Sequence, residues 1–126
     1  MQGALAGALC HACAHRWTAP LEMTPQDLCP ACAAPATRPD IVWFGEVPYR
    51  AEVIDAALAA ADLFAAIRTS GNVYPAAAYA RHCAPMGAHT LELSLGPSQN
   101  TRDFSESHFG PATQVVPDWV SQILKA

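Results

Sequence analysis

The sequence predicts an α/β fold in which a small cysteine-rich module precedes a parallel sheet of about three strands with flanking helices. Three observations carry that prediction. Four of the five cysteines fall in two close pairs near the start of the chain. From Asp40 onward, short apolar runs alternate with stretches of helical period, the pattern of βαβ units whose right-handed crossovers build parallel sheets. Proline and glycine sit mostly between those runs, where they punctuate loops.

The first strand is expected at Asp40 to Phe44 (DIVWF), a buried run bounded by Pro39 and Gly45. Ala51 to Leu63 reads as a helix, with Val53, Ala57, Ala60 and Phe64 recurring at its spacing. LFAAI, from Leu63, reads as a second buried strand. Pro75 to Met86 is expected to be helical: proline suits the first turn, and Gly87 suits the left-handed position past the end. HTLELSL, from His89, is the third strand, and Pro117 is expected to open a short terminal helix with Trp119, Val120, Ile123 and Leu124 on its apolar side. The chain thus divides into a metal-binding module, residues 1–38, and a sheet-bearing domain, residues 39–126. A parallel sheet of this kind offers ligands the loops at the carboxyl ends of its strands.

Composition narrows the function classes. The chain has 126 residues, 52 % hydrophobic and 14 % charged, so it can bury a core and is not a disordered type. A net charge of −4 without a basic cluster gives no footprint for nucleic acid. The most apolar stretch, Ala56 to Ile67, is interrupted by Asp62 and is shorter than the ~20 residues a bilayer span needs. No basic leader precedes the small apolar residues at the start, so export is not expected. Paired cysteines then suit a reducing, cytoplasmic setting with a metal better than a disulfide scaffold.

Cys10-x-x-Cys13 and Cys29-x-x-Cys32 are separated by fifteen residues, the spacing of a zinc ribbon or knuckle. Two residues between cysteines let one tight turn aim both sulfurs at a single ion, and two such turns complete a tetrahedron. Four thiolates leave no position for water, so the site is expected to be structural. Iron in the same tetrahedral sulfur set stays open, and four unrelated buried cysteines is the bland alternative. His11 and His15 flank the first pair and are expected to be loop residues, not ligands. Cys83 reads as a small buried hydrophobe.

After the second cysteine pair the chain reads RPDIVWFGEVP, IRTSGNVYPAA, LELSLGPS and FGPATQVVPDWV. In this order, behind a four-cysteine module, these motifs resemble the sirtuins, NAD-dependent protein-lysine deacylases, and among them the bacterial group that includes desuccinylases. The resemblance runs from Met1 to about Leu124. It implies the C-terminal part of a Rossmann-like NAD-binding domain, with structural zinc on Cys10, Cys13, Cys29 and Cys32. It implies that Val42, Phe44, Gly45 and Glu46, and separately Gly71, Asn72, Val73 and Tyr74, pair with an extended acyl-lysine peptide by strand addition. Thr69 and Ser70 match contacts to NAD, Ser94 and Leu95 match a pair near the adenosine ribose, and Ala112 matches the small residue beside adenine. Taken singly, Trp43, Phe44 and Tyr74 could be plain core, and Glu46 a solvated turn residue.

Three positions depart from the family pattern. Gln2 stands where the family has a catalytic histidine, and an amide cannot take up a proton as a general base. Arg68 replaces the glycine of a Gly-Thr-Ser segment, where backbone meets cofactor. Ser94 replaces an asparagine and offers fewer hydrogen-bonding groups. The family's N-terminal half, with its glycine-rich phosphate loop, has no counterpart in these motifs. The resemblance therefore implies NAD-dependent removal of acyl groups from lysine, giving nicotinamide and an O-acyl-ADP-ribose, with this chain expected to be inactive alone. The alternatives are a zinc-stabilised peptide-binding or scaffolding module, or one chain of a split enzyme whose partner supplies the other half. An exposed sheet edge would also favour self-association.

Overall fold

The computed structural model describes residues 1–125 and divides into two compact units, Met1–Glu52 and the remainder from Val53. The first unit is built on an antiparallel sheet ordered β2-β1-β3, from β1 (Gly3–Cys10), β2 (Arg16–Thr18) and β3 (Thr37–Ile41). Leu9 pairs with Arg16 on one side and Arg38 on the other. β1 delivers its last residue, Cys10, directly into the first cysteine turn.

The two cysteine turns share one hydrogen-bond plan. The Cys10 N–H donates to the His15 carbonyl at 2.8 Å, and the Ala14 N–H to the Cys10 carbonyl at 2.9 Å. Nineteen residues on, the Cys29 N–H donates to Ala34 at 3.0 Å, and Ala33 to Cys29 at 2.8 Å. Ala14 and Ala33 occupy equivalent left-handed positions, with φ of 60° and 58°. Such backbone is costly for a residue with a Cβ, so the bonds around each knuckle, and the sulfur cluster they build, hold it there.

This unit carries an antiparallel sheet that the sequence does not announce. β1 reads GALAGALC, and glycine and alanine give no contrast between the faces of a strand, so its period of two is invisible. The run Asp40 to Phe44 is likewise not one buried strand. Only Asp40 and Ile41 lie in β3, in this antiparallel sheet, and Phe44 is 94 % exposed. Gly45, at φ 85°, closes a turn in which the Glu46 N–H donates to the Trp43 carbonyl at 3.0 Å. A positive φ at the third position is a glycine requirement of such turns, and it swings Trp43 and Phe44 off the strand line.

The second unit holds a parallel sheet ordered β4-β5-β6, from β4 (Leu63–Ile67), β5 (His89–Ser94) and β6 (Glu106–Phe109). Ala65 pairs with Leu91, and Leu91 in turn with Glu106. The central strand is buried from Thr90 to Ser94, as expected of a strand covered on both faces. Leu58 of α1 (Ala51–Ala59), Cys83 of α2 (Tyr79–Cys83) and Ala88 form a small core with Ile54, Ala61, Phe64 and Tyr79 around it. Cys83 is fully buried, and burial raises its thiol above the ordinary range.

Two sheet expectations change here. The third parallel strand is Glu106–Phe109, not Asp40 to Phe44; ESHF is too polar to announce itself. LFAAI is a strand as expected, but it is an edge, with Leu63 and Ile67 about half exposed. The Pro75 to Met86 stretch is helical in pieces, a 3₁₀ turn on each side of α2, and Gly87 ends it at φ 100°. The terminal helix α3 (Ala112–Ile123) begins earlier than Pro117, which lies inside it. α3 is tied to the sheet where the Trp119 indole N–H donates to Glu106 at 3.2 Å; Glu106 also pairs with His89 and His108. No helix among the described residues is long and apolar enough to cross a membrane.

Candidate functional site

The sulfur atoms of Cys10, Cys13, Cys29 and Cys32 all lie within 4.8 Å of one another. Cys10 to Cys32 and Cys13 to Cys29 are each 3.7 Å apart, and no cysteine is in a disulfide. A tetrahedral zinc with Zn–S bonds of ~2.3 Å places its sulfurs roughly 3.8 Å apart, so the donor set fits that ion in number, chemistry and spacing. His11 and His15 are outside this group; the His15 ring stacks on Trp17.

The electrostatics agree. The Cys13 thiolate is favoured by the His15 backbone, yet the neighbouring thiols push its pKa up to about 12. Burial opposes ionisation of Cys29, but the backbone N–H groups of Cys32 and Ala31 outweigh it and lower that thiol to about 7. Four thiols at this spacing cannot all ionise unless a cation sits among them, and a metal that binds here releases protons.

A second feature lies at the carboxyl ends of β4 and β5. An open cavity of about 450 Å3 is lined by Arg68, Thr69, Ser70, Asn72, Ser94, Leu95 and the Gly96 to Gln99 loop. Thus four of the five expected cofactor residues share one cavity; Ala112 begins α3 and does not line it. The two walls are stitched together, with the Arg68 N–H donating to Leu93 at 3.0 Å and the Gln99 N–H to Ser70 at 3.1 Å. Gly71, at φ 70°, packs against Asn100 so closely that a Cβ would collide with that side chain. Asn72, Val73 and Tyr74 follow it on the surface.

Beneath the cavity sits a residue that sequence reasoning passed over. Glu92, on the central strand, is fully buried. It accepts from the Ser98 N–H at 2.9 Å, from the Thr101 hydroxyl, and from the Ser107 hydroxyl at 3.3 Å. Ser94 lies 3.3 Å away while donating to the Gly96 carbonyl at 2.7 Å. Burial alone would raise this carboxyl, but the donors outweigh it and hold it below the ordinary range. Glu92 therefore fixes the 94–101 loop from below. A charge in the middle of an apolar strand, followed by serines and threonines, was the available signal.

In the first unit, Phe44 and Gly45 form the exposed tip of the Trp43 to Glu46 turn. Glu46 grips Arg38 through two bonds of 2.6 and 2.9 Å and accepts the Trp43 N–H at 3.0 Å. Arg38 also donates to the Ile41 carbonyl at 3.0 Å and stacks 3.9 Å from the Trp43 ring. The Glu46 carboxylate thus closes the turn. Val42 donates its N–H to the Gln2 carbonyl at 2.9 Å, which holds Gln2 beside the start of this turn.

The Arg38 guanidinium, followed by the Trp43 N–H, lowers Glu46 from its ordinary 4.5 to about 2. A carboxyl depressed on folding stabilises the fold above its unfolded pKa and loses that contribution as pH falls through the folded value. Compared with Glu46→Gln, the wild type is expected to be more stable above pH 4.5, with the difference vanishing toward pH 2. Glu46 is 40 % exposed, so solvent screening keeps the effect small. Trp43 fluorescence during denaturation of both proteins measures it; a difference unchanged at pH 2 would refute the pairing.

The Sir2 family model matches residues 1–75. An NAD-dependent protein deacylase of Caulobacter vibrioides is 46 % identical over 125 residues, covering 98 % of this chain and 52 % of that protein. One of Escherichia coli is 50 % identical over 110 residues, covering 86 % and 39 %. A crystal structure of a Sir2 homologue–NAD complex is 27 % identical, with a TM-score of 0.81, and covers 98 % of this chain and 50 % of that one. The chain spans about half the length of the relatives it matches. Its cysteine cluster, parallel sheet and family match agree, and the chain belongs to the Sir2 family.

Proposed function

We propose that this chain is part of an NAD-dependent protein-lysine deacylase, supplying a structural zinc module and the adenosine side of the dinucleotide site. The observation that carries the reading is the shared cavity of Thr69, Ser70, Ser94 and Leu95 at the ends of adjacent parallel strands, where open α/β sheets bind nucleotides. The relatives' names point the same way. Zinc would sit on Cys10, Cys13, Cys29 and Cys32 and do no chemistry. NAD, when bound, supplies the nicotinamide leaving group. Thr69 and Ser70 would offer hydroxyls to the cofactor, and by the resemblance Ser94 and Leu95 would lie near its ribose and Ala112 near its adenine. By the same resemblance, Val42, Phe44, Gly45 and Glu46 would offer backbone to an acyl-lysine peptide, and so, separately, would Gly71, Asn72, Val73 and Tyr74.

A polypeptide of these 126 residues is expected to show no deacylase turnover. The cavity lining contains no histidine or carboxylate, Gln2 cannot act as a base, and losing a general base costs ~10²–10⁴-fold. A second reading, one chain of a split enzyme, is favoured by the open β4 edge with its half-exposed Leu63 and Ile67, which a partner or a second copy would cover. Mass spectrometry of acetyl- and succinyl-lysine peptides incubated with NAD and the zinc-loaded chain tests both. Turnover by the chain alone, abolished in Thr69→Ala, would overturn the expected inactivity; turnover only after adding the rest of a Sir2 catalytic domain would support the second reading, and no turnover in either case would count against the deacylase reading.

A further inference from the structure

We propose that Asn100 is a positioning residue that couples the nucleotide cavity to the segment from Gly71 to Ala77. A nucleotide bound at the strand ends then preorganises the backbone that Gly71 to Tyr74 would offer to an acyl-lysine peptide. The inference rests on the deacylase reading above and adds to it a regulation of the peptide side by the cofactor side. Asn100 directly follows Gln99, the last residue of the cavity-lining loop. Its side-chain amide reaches across to the other segment and donates to the Ala77 carbonyl at 2.7 Å. The oxygen of the same amide accepts from the Ser98 hydroxyl at 3.0 Å, and Ser98 lines the cavity. One short planar group thus holds a donor on the peptide side and an acceptor on the nucleotide side.

Both ends of this link are anchored. Ala77 is buried, and its own N–H donates to the Val73 carbonyl at 2.9 Å, so the Asn100 bond ends on the turn that carries Val73 and Tyr74. Those two side chains are largely exposed and give the segment little packing of its own. Gly71 lies against the Asn100 side chain with no room for a Cβ. On the other side, Glu92 accepts the Ser98 N–H at 2.9 Å, and the Gln99 N–H donates to Ser70 at 3.1 Å. Surface loops open locally at low free energy, and a ligand that contacts only the closed form shifts the balance toward it. When the 94–101 loop opens, Asn100 leaves the Ala77 carbonyl without its donor, and the 71–77 segment loses support at the same moment. A nucleotide that holds the first closed therefore also orders the second. Asparagine suits the task because one amide both donates and accepts, which a carboxylate does not.

Residue-resolved amide exchange of the zinc-loaded chain, with and without saturating ADP-ribose, tests this. In the wild type the nucleotide is expected to slow exchange over residues 94–101 and also over 71–77, the latter by roughly 5-fold, the scale of one neutral hydrogen bond. Asn100→Asp keeps the size and the acceptor for Ser98 but loses the donor to Ala77. It should retain the ligand-induced slowing at 94–101 and lose it at 71–77, and Asn100→Ala should do the same. The readout is the change caused by the nucleotide, which a merely structural role would leave intact while lowering the melting temperature. Slowing confined to 94–101 in the wild type overturns the inference, leaves the dinucleotide reading standing, and needs no variant to fold. Slowing at 71–77 that survives in both variants also overturns it, since the nucleotide then reaches the segment directly through Asn72. If ADP-ribose changes neither segment, the dinucleotide reading and the inference fail together.

Discussion

Cys29→Ser is expected to abolish metal binding and, with it, the folded state of the cysteine module. Zinc-loaded wild type should contain one metal per chain, the variant almost none. The effect should be large because the first unit has little else to hold it. Its buried hydrophobic residues among those described are Ala8, Cys10 and Cys29, while Leu5, Leu21, Leu28 and Val47 are exposed. Two of those three buried residues belong to the four-cysteine group itself. Structural zinc contributes apparent binding energies of ~10–16 kcal/mol in small modules, as much as the entire stability of a typical domain, ~5–15 kcal/mol. Serine keeps the size and loses the soft anionic donor. The two knuckles also hold Ala14 and Ala33 in left-handed backbone, which the chain would leave once the cluster opened. Elemental analysis and amide exchange over residues 1–38 measure the outcome. His11→Ala and His15→Ala serve as controls and should retain metal. A Cys29→Ser protein that keeps stoichiometric zinc, or a metal-free wild type with undiminished protection, would refute the assignment.

How much of this was legible in the sequence depended on the kind of signal each element carries. Cysteine spacing needs no neighbours to be read, because a two-residue gap already fixes how two sulfurs can face one ion, and the four sulfurs come together as expected. The buried central strand was also readable, since LELSL between Gly87 and Gly96 has apolar residues with no helical continuation. β1 was not, because glycine and alanine hide which face is which. β6 was not, because Glu106 and His108 face each other and the terminal helix through side-chain bonds, which are tertiary facts. Trp43 and Phe44 were drawn into a strand by their hydrophobicity, when the Gly45 turn and the Arg38–Glu46 pair decide their path. Arg38 and Glu46 are eight residues apart, and nothing in either residue announces the other.

Glu92→Ala is expected to be the most damaging substitution in the second unit, and to act on the cavity as well as on stability. The side chain is fully buried at the centre of the sheet, where an unsatisfied donor costs ~1–3 kcal/mol. Alanine would orphan the Ser98 N–H, which cannot turn elsewhere, and the Thr101 and Ser107 hydroxyls, which can in part. It would also leave a void. A total near ~3 kcal/mol corresponds to a melting shift of ~12–24 °C for a unit of this size. Glu92→Gln separates charge from shape. Its carbonyl can keep the Ser98 bond, and its amide group can donate to the rotated Thr101 and Ser107 hydroxyls, so its cost should be nearer ~1 kcal/mol. The loop from Ser94 to Thr101 should lose amide protection in the alanine variant before the β4–β5 pairing does, because Glu92 holds that loop by side chain alone whereas the strands keep their ladder. Nucleotide binding should weaken in parallel, since Ser94, Leu95 and Ser98 line the cavity. Thermal denaturation and residue-resolved exchange distinguish the cases. Equal melting temperatures for the wild type and Glu92→Ala, or loss of strand and loop protection together, would show that Glu92 does not position the loop.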